Sequence, residues 1–287
     1  MTDLDIDHLR RWIGREDSAS EEVTSSLVQR FNVTFDREGD VSSGAPAPLM
    51  LHWCLAQPAV PTAQLGPDGH PARGGFLPPV PLPRRMWAGG ALEFKGDIRI
   101  GETMTRRSVI RDVTVKEGRT GVLCFVTVDH EVTSGGRPVL DERQDIVYRA
   151  AEPAKPAAAA QQEAGAKKPA AAPEGAHRRL VVPSPPLLFR YSALTFNGHR
   201  IHYDAPYVRE IESYPGLIVH GPIQATLLAH HAEAIRGSRP SGFGFRSLSP
   251  LFDTADFAID AAEDGDGLKL WTARVGGPVA MEAQARW

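Results

Sequence analysis

Five of the chain's ten histidines fall between His199 and His231. Three of them, His199, His202 and His220, lie among Gly, Pro, Tyr and Asn residues in the stretch RYSALTFNGHRIHYDAPYVREIESYPGLIVHG, from Arg190 to Gly221. Since histidine titrates near neutral pH, such a cluster in loop-like sequence suits proton transfer or metal binding. The apolar runs LIV and IQATLLA lie close by and can bury part of it. An enzyme is therefore the leading hypothesis.

A metal centre and a nucleotide site are the two obvious alternatives for this cluster. His199 and His202 could form half a metal site, but no Cys, Asp or Glu completes a recognised ligand spacing. No P-loop or dinucleotide fingerprint occurs, and the glycines of the DGDG stretch at Asp264 suit a hairpin turn better than a phosphate loop. We therefore expect neither a metal nor a cofactor.

Composition narrows the classes of partner. The chain has 287 residues, enough for two domains, and a net charge of −3 without a basic stripe. Binding to nucleic acid is therefore not expected. The sequence is charged from its third residue and has no uninterrupted apolar run as long as a membrane span. We expect a cytoplasmic protein that does not enter a membrane.

The elements that must position the cluster follow from periodicity and turn signals. An Ala/Pro-rich stretch, Ala151 to Ala176, has no aromatic or branched aliphatic residue and predicts a linker. The apolar segment Pro48 to Ala56 predicts a central helix before the linker, and Leu217 to Arg236 predicts a loop and a buried helix after it. Strand-like runs follow each helix, at residues 106–115, 121–133 and 138–148, and at 242–248, 255–262, 268–275 and 279–287.

Both halves thus predict one apolar helix followed by an antiparallel meander. A helix enclosed by a curled antiparallel sheet is the hotdog fold, so we predict an α+β double hotdog. The predicted division is an N-terminal hotdog domain at 1–150, the linker at 151–180 and a C-terminal hotdog domain with the catalytic loop at 181–287.

The second half resembles the MaoC-type hydratases, whose signature runs Asp-x-Asn-Pro-Leu/Ile-His with a later His-Gly. Here the signature histidine falls on His202 and the His-Gly on His220-Gly221, while Asn197 stands at the aspartate position and His199 at the asparagine position. The segment ALTFNGHRIHYD is similar to the corresponding segment of a narrower branch, which comprises the mitochondrial-type hydroxyacyl-thioester dehydratases and the bacterial mesaconyl-C(4)-CoA hydratases. LRRWIGRED, PLMLHWCLAQP, LPRRMWAGG and FRSLSPLF extend that resemblance to nearly the whole chain except the linker.

The resemblance implies a role for each site residue. His202 would be the base that activates water, and the N–H of Gly221, at the start of a helix, would face the enolate oxygen. Asn197 has no titratable proton, so either His202 carries both proton steps or His199 or Asp204 takes one. The expected substrate-binding residues are His199, Arg200, His220 and Arg246; the two arginines are candidates for a substrate carboxylate, although each could equally form a surface ion pair. Trp53, Met86 and Trp87 could form an apolar wall.

The implied activity is that of a hydro-lyase acting on an unsaturated acyl-CoA thioester. Mesaconyl-C(4)-CoA, giving citramalyl-CoA, is the first substrate hypothesis. An itaconyl-CoA hydratase and a general (R)-3-hydroxyacyl-thioester dehydratase are alternatives within the same class. Because the family aspartate is missing, a catalytically silent acyl-thioester binding module stays open, as does a homodimer.

Overall fold

Ten antiparallel strands form one continuous sheet in the computed structural model, which describes residues 4–118, 121–150 and 170–287. The strand order is β1-β3-β4-β5-β2-β7-β10-β9-β8-β6, so the first five strands of the chain form one half and the last five the other. Their bounds are β1 Glu16–Glu22, β2 Arg84–Phe94, β3 Thr103–Gly118, β4 Gly121–Ser134, β5 Arg137–Arg149, β6 His177–Val181, β7 Gly242–Ser247, β8 Phe257–Asp264, β9 Gly267–Arg274 and β10 Val279–Arg286.

The two halves meet where β2 pairs with β7. The register runs from Gly89 opposite Arg246 to Glu93 opposite Gly242. Backbone hydrogen bonds therefore continue across the molecule, and the larger of two apolar clusters draws residues from both halves. Because the sheet is continuous, loops of the first half lie in contact with loops of the second half.

Five α-helices accompany the described strands: α1 Ile6–Arg10, α2 Ser25–Thr34, α3 Pro185–Leu194, α4 Ala205–Glu210 and α5 Gly221–Arg236. The predicted helix of the second half is α5. It starts with Pro222 in its first turn and ends at Gly237, whose φ of 68° is the usual left-handed helix stop. Its buried residues pack against all four strands β7 to β10. Helix α5 is therefore the central helix of the second half.

The predicted central helix of the first half is wrong. Within Pro48 to Ala56 only a single 3₁₀ turn forms, Leu51–Cys54. Met50 and Ala56, with φ values of 68° and 52°, break the helical path on either side. The turn is nevertheless buried, with Leu51 fully inaccessible. The apolar composition of this segment predicted its burial correctly, but the helix predicted from it does not form.

All seven predicted strands are present, with ends shifted by a few residues. Strands β1 and β6 lie at the two edges of the sheet and their side chains are mostly exposed, so neither shows the alternation of a half-buried strand. β6 begins at His177 and so includes the last residues of the predicted linker, 177–180. The linker residues 151–169 lie outside the described residues. Among the described residues, none of the helices combines the length and the apolar composition of a membrane span.

Candidate active site

His202 is buried in the loop between α3 and α4. It ends a short 3₁₀ helix, Arg200–His202, and its side chain is held by the backbone carbonyl of Ile218, 2.8 Å from Nδ1. Because a carbonyl oxygen only accepts, Nδ1 carries the hydrogen and Nε2 is left as the basic nitrogen. Burial lowers the pKa of His202 to about 4, so the ring is neutral at physiological pH. A neutral imidazole with one fixed nitrogen can act as a general base.

His220 stacks on His202. The two ring centroids are 3.6 Å apart with an interplanar angle of 15°. His220 Nε2 lies 2.9 Å from the Ser192 hydroxyl, whereas its buried Nδ1 has no partner within the described part of the chain. Burial, reinforced by His202, holds the pKa of His220 well below its ordinary value. The stack fixes the plane of His202 without placing a second positive charge beside it.

Gly221 directly follows His220 and is the first residue of α5. Its N–H lies at a helix N-terminus, where backbone donors lack intrahelical partners and the helix dipole favours negative charge. A Cβ at Gly221 would meet only Ser247 Oγ at 3.8 Å and Met281 Cε at 3.9 Å, which are ordinary contact distances. Among the described residues nothing therefore requires glycine there, as expected if the missing side chain leaves room for a ligand.

Asn197 shapes the loop that carries His202. Its Oδ1 accepts a hydrogen bond of 3.0 Å from the backbone N–H of His199, which closes an Asx turn. The preceding residue, Phe196, has a φ of 48°, so the chain turns sharply between α3 and the loop. An aspartate would accept the same bond. The departure from the family pattern therefore preserves the loop and removes only a titratable group.

A loop of the first half completes the cluster with Asp68 and His70. His70 Nδ1 lies 3.0 Å from Asp68 Oδ2, and the His70 ring lies 4.0 Å from that of His199. His199 is in turn 5.5 Å from His202, centroid to centroid. Four histidines, His70, His199, His202 and His220, thus form a continuous row. Sequence reasoning missed Asp68 and His70; their signal is an Asp-x-His pair in a Gly/Pro-rich loop, LGPDGHPARGG.

The backbone contact between the two loops is very close. The Arg200 N–H donates to the Asp68 carbonyl at 2.9 Å, and the Arg200 guanidinium donates to the Pro67 carbonyl at 3.0 Å, although Pro67 and Arg200 are 133 positions apart. Gly69 faces Gly198, and a Cβ at Gly69 would lie 1.9 Å from the Gly198 carbonyl oxygen. Glycine at 69 is therefore required for the loops to meet.

Asp68, His70 and His199 could together offer ligands to a metal ion. One ligand atom from each lies within 4.8 Å of the others. The set is already internally bonded, since both Asp68 oxygens accept from His70. Burial is the main cause that lowers the pKa of His70; the hydrogen bond and charge of Asp68 oppose it, and the charges of Arg85 and Arg73 add to it. Positive charge that disfavours a protonated imidazole also disfavours a cation. The cluster therefore suits orientation of neutral histidines better than metal binding.

The two arginines expected to bind a carboxylate are both engaged elsewhere. Arg200 pairs with Asp204 through Nε at 2.9 Å and stacks over the Tyr207 ring at 4.0 Å. Arg246 is largely exposed and pairs with Glu282, with 3.0 Å between Nε and Oε1. Asp204 also caps α4 by accepting from Tyr207 N at 3.1 Å. Arg200 and Asp204 thus hold the loop in place, and Arg246 lies in a surface ion pair.

An aromatic group from both halves lies on the inner face of the sheet. Trp53 is 4.9 Å from Trp87 and 6.0 Å from Phe245, ring to ring. Trp53 Nε1 donates to buried Glu142 at 2.9 Å. Burial raises the pKa of Glu142, but the bond from His52 and the charges nearby outweigh it and lower the pKa to about 2. Met86, in contrast, is 39 % exposed on the other face of β2, so it forms no part of this wall.

Comparison with known proteins places this architecture in a family. Residues 50–253 match the family model of hydroxyacyl-thioester dehydratase type 2. The chain belongs to that family. It is also 43% identical, over 95% of both chains, to a mesaconyl-C(4)-CoA hydratase of Chloroflexus aurantiacus. The prediction of an enzyme of the hydro-lyase class is therefore confirmed.

Solved structures confirm the fold. A MaoC-like dehydratase from Phytophthora capsici superposes with a TM-score of 0.67 at 14% identity, covering 99% of this chain and 98% of that one. A Mycobacterium tuberculosis protein described as having a double hotdog fold superposes with a TM-score of 0.59 at 13% identity over 95% of both chains. The predicted double hotdog is therefore correct, with the first half built around a shorter turn.

Proposed function

We propose that this protein is a hydratase that adds water to mesaconyl-C(4)-CoA and forms citramalyl-CoA. The observation that carries the proposal is the arrangement of His202, whose fixed Nδ1–H leaves Nε2 as a base close to the start of α5. The substrate is inferred from the 43% identity to the Chloroflexus mesaconyl-C(4)-CoA hydratase.

In the proposed reaction His202 Nε2 takes a proton from water. The water oxygen bonds to the β carbon, the π electrons move to the thioester oxygen, and the resulting enolate accepts a hydrogen bond from the Gly221 N–H. The His202 imidazolium then returns the proton to the α carbon. Because its pKa is lowered to about 4, this imidazolium is a stronger acid than an ordinary one, which favours that second step. Asn197 Nδ2 is left to orient the water, since only Oδ1 is used in the loop.

One histidine suffices for both proton steps in this scheme. Asp204 is occupied by Arg200 and the cap of α4, and His199 faces His70. We assign His199 and His220 to holding the row of rings in place beside the acyl group. A division into two hotdog domains joined by a linker that ends before β6, a cytoplasmic location and a homodimer are further parts of the proposal.

The test is hydration of mesaconyl-C(4)-CoA, itaconyl-CoA and crotonyl-CoA by the purified protein, with products separated by liquid chromatography. His202→Ala is the paired variant. Fast turnover of mesaconyl-C(4)-CoA that disappears in the variant supports the proposal. Turnover of crotonyl-CoA alone would indicate a general hydroxyacyl-thioester dehydratase. Binding of all three without turnover would make the chain a silent acyl-thioester binding module.

A further inference from the structure

A substrate with a second carboxylate needs a cation at a defined place. The inference drawn from this requirement rests on the proposed function. In mesaconyl-C(4)-CoA the free carboxylate is attached to the same carbon that receives the water oxygen. The group that binds the carboxylate must therefore lie next to the base, not at the entrance where the CoA phosphates bind. A guanidinium is the best match, because it can donate two parallel hydrogen bonds to a carboxylate.

The arginines of the catalytic loop and of β7 do not fit this position. Arg200 is paired with Asp204, and Arg246 with Glu282. Arg84, in β2, is paired with Glu212 and contacts the Tyr214 hydroxyl. A carboxylate arriving at any of these would compete with a partner already in place.

Arg85 is different. It is half-buried in β2 and lies directly opposite Tyr148 of β5. The side chains of Arg85 and of buried Tyr148 therefore project from the same face of the sheet. Trp87, two residues later on that face, packs on Trp53. Among the described residues no carboxylate forms a salt bridge with Arg85. A half-buried guanidinium without a counter-ion is costly unless a ligand supplies one.

The neighbours of Arg85 connect it to the row of histidines. Arg73 donates to the carbonyl of Pro83, two residues before Arg85, at 2.8 Å, so the loop that carries His70 lies against the start of β2. After burial and the nearby histidines, the Arg85 charge is a further cause that lowers the pKa of His199. Burial raises the pKa of Tyr148, and the charge of Arg85 opposes that rise. Arg85 therefore faces the same space as the catalytic loop, from the opposite half of the molecule.

We propose that Arg85 binds the free carboxylate of a dicarboxylic acyl thioester and so selects it over monocarboxylic acyl groups. The Tyr148 hydroxyl beside it is a second donor. The first half of the chain would then supply substrate selection, through Arg85 and the aromatic group, while the second half supplies the base. A CoA phosphate is a poorer occupant, because the pantetheine arm keeps the phosphates many bonds away from the reacting carbon.

Binding of two saturated analogues tests this without any need for turnover. Succinyl-CoA ends in a carboxylate where butyryl-CoA ends in a methyl group. Dissociation constants of both are measured by calorimetry for the wild type, Arg85→Met and Arg85→Lys. We expect Arg85→Met to weaken succinyl-CoA binding about 100-fold, the effect of losing a charge-assisted pair, and to change butyryl-CoA binding by less than about threefold. Arg85→Lys should restore part of the loss.

Arg84→Met is the matched control, since it removes the neighbouring guanidinium from the opposite face of the same strand. It should affect both analogues equally. If Arg85→Met weakens both equally, or neither, Arg85 does not bind the carboxylate. Failure of the proposed function gives a different pattern: the wild type would then hydrate crotonyl-CoA but not mesaconyl-C(4)-CoA, whatever the result for the analogues. Selectivity for succinyl-CoA that depends on Arg85 would still support the carboxylate site in that case.

Discussion

Gly69 offers a sharp test of whether the first half positions the catalytic loop. Its φ is +88°, and a Cβ there would lie 1.9 Å from the Gly198 carbonyl oxygen. Gly74 has the same φ of +88°, but its Cβ would meet only Pro79 Cβ at an ordinary 3.6 Å. The substitutions Gly69→Ala and Gly74→Ala therefore share the same backbone cost and differ in the contact between the two loops.

The magnitudes follow from these distances. Each substitution places alanine in the left-handed region, which costs about 1–2 kcal/mol and lowers Tm by roughly 2–4 °C per kcal/mol. In Gly69→Ala the loops must also separate by about 1.5 Å to reach the 3.4 Å of ordinary contact. A displacement of about 1 Å at a site can cost about 100-fold in rate. We therefore expect kcat to fall about 100-fold in Gly69→Ala and less than about threefold in Gly74→Ala.

The assay is steady-state hydration of the best enoyl-CoA substrate, with Tm measured on the same preparations. The expected result is a similar Tm loss in the two variants, slightly larger in Gly69→Ala, together with a large difference in kcat. Equal kcat values in two folded variants would show that the loop of Asp68 and His70 does not position His202, and the interpretation of the row of histidines would be wrong.

Three further predictions concern the second half. His202→Ala should lower kcat by about 10²–10⁴-fold while acyl-CoA binding persists, and unchanged turnover would remove His202 from the mechanism. Asn197→Asp keeps the acceptor for His199 N–H, so we expect a folded enzyme with kcat within about tenfold and an altered pH profile, whereas Asn197→Ala should lose the turn; complete inactivity of the aspartate variant would show that the amide donor is essential. Because the pKa of His202 falls from 6.5 to about 4 on folding, kcat/KM should decline only as pH falls toward 4, and the unfolding free energy should decrease between pH 6.5 and 4, since the unfolded state binds more protons there. An acid limb near pH 6.5 would contradict this.

Much of the second half could be predicted from sequence because its signals are local. Helix α5 has Pro222 and Gly237 at its ends and apolar residues between them, and strands β7 to β10 are separated by turn residues. Positions 197, 202, 220 and 221 follow from one family motif. The central element of the first half was harder to predict, since Met50 and Ala56 adopt left-handed φ values that an apolar run does not indicate. The edge strands β1 and β6 carry no alternation, because most of their residues face solvent.

The sequence alone thus determined the family, the buried helix and the position of the candidate loop around His202, whose signals lie in residues close together in the chain. Only the tertiary structure decided what meets that loop. The β2–β7 pairing and the contact of Gly69 with Gly198 bring Asp68 and His70 to His199. The fold also places Arg85 opposite Tyr148, where no carboxylate among the described residues forms a salt bridge with it. The contacts between the two halves carry no periodic signal, because they join residues far apart in the chain, such as Pro67 and Arg200, which are 133 positions apart.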